Sequence, residues 1–242
     1  MEVTDPQFWV AVFQIVVIDI ALGADNAVVI ALACRHLPEH KRNQGIFWGA
    51  AGAIGIRILL VFFALKLLTL PYLKITGGLL LLWIGVKLLL PEPAGPAGEG
   101  ESMVKGGATT LPGVIKTIII ADTVMSLDNV MGIAGAARDD LMLVIFGLLF
   151  SVPVIVWGSK LVMKWIERFP VIIVIGAGFL GWVAGGLLTG DTVSREWVDA
   201  QPAYLQWLVP AVCSFGVIVT GKWLTARIQK KARLTVDLLK KE

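Results

Sequence analysis

Seven long apolar runs set the limits on what this chain can become. They cover about residues 8–33, 45–65, 72–90, 112–136, 141–163, 170–189 and 203–221. Each comes close to the ~20 residues an α-helix needs to cross the hydrocarbon core of a bilayer. Their apolar residues arrive in blocks, not at the i, i+3, i+4 spacing of a helix lying on a soluble core. Composition agrees: 57% of the 242 residues are hydrophobic and 16% are charged, where soluble domains carry about 25% charged residues. Mean hydropathy is +0.80. Backbone polar groups in lipid must find partners inside their own segment, so the runs predict helices and an all-α integral membrane protein.

The polar remainder organises the runs. PEPAGPAGEGESMVKGG, from Pro91 to Gly107, is the one long Pro/Gly-rich stretch and predicts a flexible cytoplasmic linker over 91–111. The chain then divides into a first three-helix repeat (1–90), the linker, a second repeat (112–190), an extra transmembrane helix (191–221) and a basic tail (222–242), expected as a surface helix. Sixteen of the 21 Lys and Arg residues fall on one side, among them Arg35, Arg42, Lys87, Lys164 and seven from Lys222 to Lys241. Lys66, Lys74, Arg138 and Arg195 fall on the other, and Arg57 is left inside a span. The positive-inside rule then predicts a multi-pass cell-membrane protein with its N-terminus outside and its C-terminus cytoplasmic. A net charge of +3 spread over such loops is no nucleic-acid footprint. Cys34 and Cys213 supply no disulfide framework, and Glu2 and Asp5 are unlike the start of a cleaved signal.

Laid against itself, the chain is duplicated. Asp19-Ile-Ala-Leu-Gly-Ala-Asp25-Asn26 matches Asp122-Thr-Val-Met-Ser-Leu-Asp128-Asn129 at an offset of 103. Pro71, Gly77 and Trp83 match Pro170, Gly176 and Trp182 at an offset of 99. Three spans per copy is an odd number, so the second copy enters the membrane inverted. The expected fold is seven transmembrane helices: two inverted three-helix repeats plus one extra C-terminal helix. Inverted repeats of this kind hold substrate near the midplane. Duplication alone would be a folding economy, but helix packing does not ask for paired D-x5-D-N strings.

Asp19 and Asp122 lie near the middle of their spans. A central Asp costs roughly 2.5–3.5 kcal/mol on insertion scales, so the four motif carboxylates need compensation by pairing, water, protons or a cation. At 100° per residue Asp19, Gly23 and Asn26 share a stripe, as do Asp122, Ser126 and Asn129. Asp25 and Asp128 point about 120° away, so either two ion positions exist or the helices loosen near Gly23 and Ser126 and bring the second Asp round. Carboxylates, amide oxygens and a hydroxyl suit a hard divalent cation such as Mg²⁺, Ca²⁺ or Mn²⁺. Metal binding to carboxylates of raised pKa would release protons, which makes cation/proton exchange an expectation. Arg57 is a candidate partner for a motif Asp, with Lys160 at its position in the second copy. His36, His40 and Cys34 are a weaker candidate for metal entry. Gly181-x3-Gly185 and Gly77-Gly78 predict close helix packing.

The strings DIALGADNAVVIAL and ADTVMSLDNVMGIA resemble those of the TerC family of integral membrane proteins, in its YjbE-like branch, over about residues 8–222. The resemblance implies a transporter linked to manganese efflux, with the metal carried at Asp19, Asp25, Asn26, Asp122, Asp128 and Asn129. Gly23, Ser126 and Arg57 support that site. Mn²⁺ is then transported substrate and not a cofactor. The expected partners are the lipid bilayer and a divalent metal ion, with a homo-oligomer left open. Three alternatives stand beside this reading. One is a membrane-protein assembly factor without transport, and another is an exporter of a small organic solute. The third is an intramembrane aspartyl protease, which the absence of a G-x-G-D string argues against; the chain is expected not to be an enzyme.

Overall fold

A computed structural model describes residues 6–67, 70–91, 110–137, 140–202 and 204–239, and among these it is all-helical. The helices are α1 (Pro6–Cys34), α2 (Glu39–Leu67), α3 (Leu73–Leu89), α4 (Leu111–Ala137), α5 (Leu141–Arg168), α6 (Val171–Thr189), α7 (Thr192–Asp199) and α8 (Leu205–Leu239). Prolines punctuate them, because Pro lacks an N–H and disfavours helix at the residue before it. Pro38 follows the end of α1, Pro71 precedes α3, and Pro170 separates α5 from α6. Most of the expected linker falls on 92–109, outside the described residues. The tail does not form a separate surface helix. No Pro or Gly interrupts residues 222–239, and α8 runs through them without a break.

Among the described residues, four helices are both long and apolar enough to cross a membrane, over Glu39–Phe63, Met142–Arg168, Val171–Thr189 and Leu205–Lys230. A fifth counts if α1 is one span bent by 56° between its arms Gln7–Ala21 and Asp25–Cys34. That is fewer than the seven expected from sequence. One reason is visible in α3, whose 17 residues reach about 25 Å at 1.5 Å per residue, short of a ~30 Å core. Large apolar side chains ring the outside, including Phe13, Phe62, Trp157 and Phe215 at 67–69% exposure. That much exposed apolar surface suits contact with lipid and not with water.

The helices pack in two groups. In the first, α1 packs on α5 and α2 on α4, with α1·α4 and α2·α5 crossing between them. Ile15 of α1 fills the space beside Gly147 of α5, and Ile118 of α4 fills that beside Gly49 of α2. In the second group α6 lies between α3 and α8. Gly181 and Gly185 let α6 meet the α8 backbone directly, since a Cβ on Gly181 would lie 2.7 Å from Ser214 Cα and one on Gly185 would strike Pro210. Contacts between the groups are sparse.

One buried carboxylate ties the second group together at its end. Asp191 accepts from the backbone N–H groups of Tyr72 at 3.1 Å, Lys74 at 3.0 Å and Ile75 at 3.3 Å, and from Val193 at 3.0 Å. It therefore caps both α3 and α7, satisfying N–H groups that a helix start leaves unpaired. Burial alone would raise its pKa, but these donors hold the carboxyl below the usual range. Sequence gave this residue no role, and its signal is an Asp just before a helix start. Tyr72, at φ 64° after Pro71, makes the turn that brings the α3 donors round.

Candidate functional site

The crossing of α1, α2 and α4 brings three ionisable side chains together where the bundle is driest. Asp19 and Arg57 are each 1% exposed, and Asp122 is 4% exposed. Arg57 Nη1 donates to Asp19 Oδ1, and Nη2 donates to Asp122 Oδ1 at 2.5 Å. Its Nε donates to Ser126 Oγ at 2.9 Å, and that hydroxyl donates to Asp122 Oδ2 at 3.1 Å. Buried charges persist only when paired and hydrogen-bonded, and here one guanidinium serves two carboxylates, one from each copy of the motif.

The matched positions Gly23 and Ser126 flank the guanidinium in different ways. A Cβ at Gly23 would come within 3.1 Å of Asn26 Nδ2 and 3.5 Å of Arg57 Nη1, so the glycine leaves the Arg57 head its room. On α4 the Ser126 hydroxyl engages the head directly. The two half-sites are thus chemically distinct. The α1 half also holds polar atoms that carry no hydrogen bond among the described residues: Asp19 Oδ2, Asp25 Oδ1, and both Oδ1 and Nδ2 of the buried Asn26. The bend of α1 falls at Ala21–Asp25, within the motif. Helix breaks of this kind are where transporters gather ion ligands.

Other expected site residues take varied places. Asn129 is half-buried on α4, and the Asp128 side chain lies outside what is described. Lys160, the counterpart of Arg57, is exposed on α5. Among the described residues no three His, Cys, Asp or Glu side chains are grouped closely enough to hold a metal ion. The Arg57 head stands between Asp19 and Asp122, so their carboxylates meet a cation but do not meet each other.

The comparisons with known proteins bear on the family of the whole chain. Residues 4–229 match the Integral membrane protein TerC family. The chain belongs to the TerC family. It is similar to "Uncharacterized membrane protein YjbE" of Bacillus subtilis, 42% identical over 214 residues that cover 88% of this chain and 94% of that one. It is also similar to a "UPF0053 protein" of Haemophilus influenzae, 28% identical, covering 81% of this chain and 86% of that one. "UPF0053 inner membrane protein YgdQ" of Escherichia coli is 25% identical, with 81% and 85% covered. No solved structure matches.

In this TerC protein the other candidates for metal entry are Cys34 at the end of α1, His36 in the loop after it and His40 in the first turn of α2. Cys34 is fully buried, and His36 Nε2 accepts from Arg35 Nε at 3.0 Å. Burial, with the Arg35 guanidinium beside it, holds the His36 imidazole down at about 4. An unfolded chain protonates His near 6.5, so between about 6.5 and 4 the unfolded state binds the extra proton. Stability from His36 is full above that window and is lost as pH falls through it. Unfolding measured in detergent from pH 7.5 to 4 is expected to show this decline, and His36→Gln is expected to flatten it.

Proposed function

We propose that this TerC-family protein exports a hard divalent cation from the cytoplasm, with Mn²⁺ as the favoured cargo. The motif side chains Asp19, Asp25, Asn26, Asp122, Asp128 and Asn129 serve as its ligands, and the protein works by alternating access. One observation carries the reading: a carboxylate from each copy of the motif converges on a single buried cationic group near the middle of the bundle. A point that stabilises a positive charge between two otherwise apolar halves has the chemistry that a cation carrier needs. The oxygen-rich ligand set favours Mn²⁺, Mg²⁺ or Ca²⁺ on chemical grounds, and manganese and the outward direction follow the family resemblance.

We also propose seven membrane-crossing helices, α1 to α6 and α8, with α1–α3 and α4–α6 as inverted repeats. A two-fold axis relating the repeats exchanges α1 with α4 and α2 with α5, so the α1·α5 contact becomes α4·α2, as found. Ile15 and Ile118, which stand at the 103-residue offset, each pack against a glycine of the exchanged helix, Gly147 of α5 and Gly49 of α2. The N-terminus is proposed outside and the C-terminus in the cytoplasm, following the Lys and Arg distribution.

The test is uptake into inside-out vesicles of Mn²⁺, Ca²⁺, Mg²⁺ and Zn²⁺, with and without a pH gradient. Mn²⁺ uptake is expected in vesicles carrying the wild-type protein. Asp19→Asn and Asp122→Asn are expected to lower it by about tenfold or more while the protein stays folded. Cells whose Asp122→Asn protein still excludes manganese as well as wild type would remove the reading.

A further inference from the structure

We propose that Arg57 is a tethered counter-cation, which takes the metal's place between Asp19 and Asp122 whenever the site is empty. This rests on the reading that the motif carboxylates carry a divalent cation.

Place is the first reason. The guanidinium bonds one oxygen of each carboxylate, Nη1 to Asp19 Oδ1 and Nη2 to Asp122 Oδ1. A dication bridging the two carboxylates would have to occupy the space between them that the guanidinium fills. Two cationic groups cannot share that space in a dry site, where like charges repel far more strongly than in water. Metal and guanidinium are therefore alternatives.

Charge is the second. A carrier that has released its cargo must bring its carboxylates back through the conformational change. Uncompensated, they would carry the cost of buried charge through every dry intermediate. An Arg side chain never gives up its proton in a protein, so it supplies that compensation in every cycle. It carries one positive charge against two on the cargo, so a bound dication outcompetes it.

Delivery is the third. Arg57 comes from α2, while the motifs lie on α1 and α4, so its long side chain can leave without unmaking either motif. Gly23 leaves room beside Nη1, and Ser126 holds Nε in line. Lys160 at the matching position is exposed, so among the described residues the site has one tether for two carboxylates.

The experiment separates two modes of radiolabelled Mn²⁺ uptake at pH 8 in proteoliposomes holding the purified protein. In exchange mode the vesicles contain unlabelled Mn²⁺, and the carrier never has to return empty. In net mode they contain none, and every cycle includes an empty return. Wild type is expected to run both. Arg57→Gln is expected to lower net uptake at least about tenfold more than it lowers exchange. Arg57→Lys, which keeps the charge, is expected to retain net uptake in proportion to exchange. Arg57→Gln losing both modes together, or keeping both, would overturn the proposal. If Arg57→Gln does not reconstitute, Arg57→Lys decides: a preserved ratio of net uptake to exchange supports the tether, and loss of both modes refutes it. A wild-type protein inactive in both modes overturns the transport reading itself, and the tether with it.

Discussion

Replacing Asp19 and Asp122 together by Asn is expected to destabilise the protein by about 3–5 kcal/mol, and adding Arg57→Gln is expected to recover most of that loss. Asn keeps the size and much of the hydrogen bonding of Asp, so the packing of α1 on α4 changes little. The damage is electrostatic. Arg57 is 1% exposed, and the double change leaves its guanidinium with neutral partners only. A lone carboxylate in such a place can take up a proton, but a guanidinium has no such escape. Each single Asn variant leaves a one-to-one pair and is expected to cost less than half as much as the double. Equilibrium unfolding in detergent of the two singles, the double and the triple variant measures all of this. A triple variant no more stable than the double would mean that the three side chains do not act as one electrostatic unit.

The second large effect lies far from any charge. Gly185→Val is expected to cost about 3 kcal/mol or more, whereas Gly186→Val, one residue along the same helix, is expected to change stability little. Overpacking a core by a few methylenes commonly costs 1–3 kcal/mol, because side chains can still give way. At Gly185 the obstacle is the Pro210 backbone of α8, which cannot turn aside, so the two helices must part. A Cβ at Gly186 meets nothing within 4 Å. Unfolding midpoints of the two variants, measured side by side in the same detergent, test this. Equal midpoints would mean that α6 and α8 do not approach as closely as described.

How much of this was legible in the sequence depends on the kind of information each feature needs. Charges inside apolar runs stand out one residue at a time, so Asp19, Asp122 and Arg57 could be singled out without any structure. The i, i+4 stripe of Asp122 and Ser126 follows from helical geometry, and their side chains are hydrogen-bonded. The small-residue spacing of Gly181 and Gly185 likewise announces a close helix contact. Partnership is different. Nothing local shows that Arg57 reaches both carboxylates while Lys160, its match in the repeat, is exposed. That outcome depends on how α2 and α5 rotate about their axes, which their nearly uniform apolarity leaves undetermined. The bend at Ala21–Asp25 was foreshadowed only by geometry, since Asp25 lies about 120° from Asp19 on a regular helix and can join it only where the helix loosens near Gly23.

The Asp191 clamp carries a mechanical consequence. It fastens α3, from the first half of the sequence, to the turn after α6 in the second. The close packing of α6 on α3 and α8 extends the same union along the bundle. Around the buried charges, α1, α2, α4 and α5 form a block that also draws on both halves. The boundary between the two sequence halves is therefore not where the molecule's helix contacts are sparsest. Its weak seam runs crosswise and cuts each copy of the repeat between its second and third helices. The chain crosses that seam beside Pro71, before α3, and at Pro170, before α6. If the seam slides, those two prolines are its axles, and a helix pair inherited from different copies travels as a single piece.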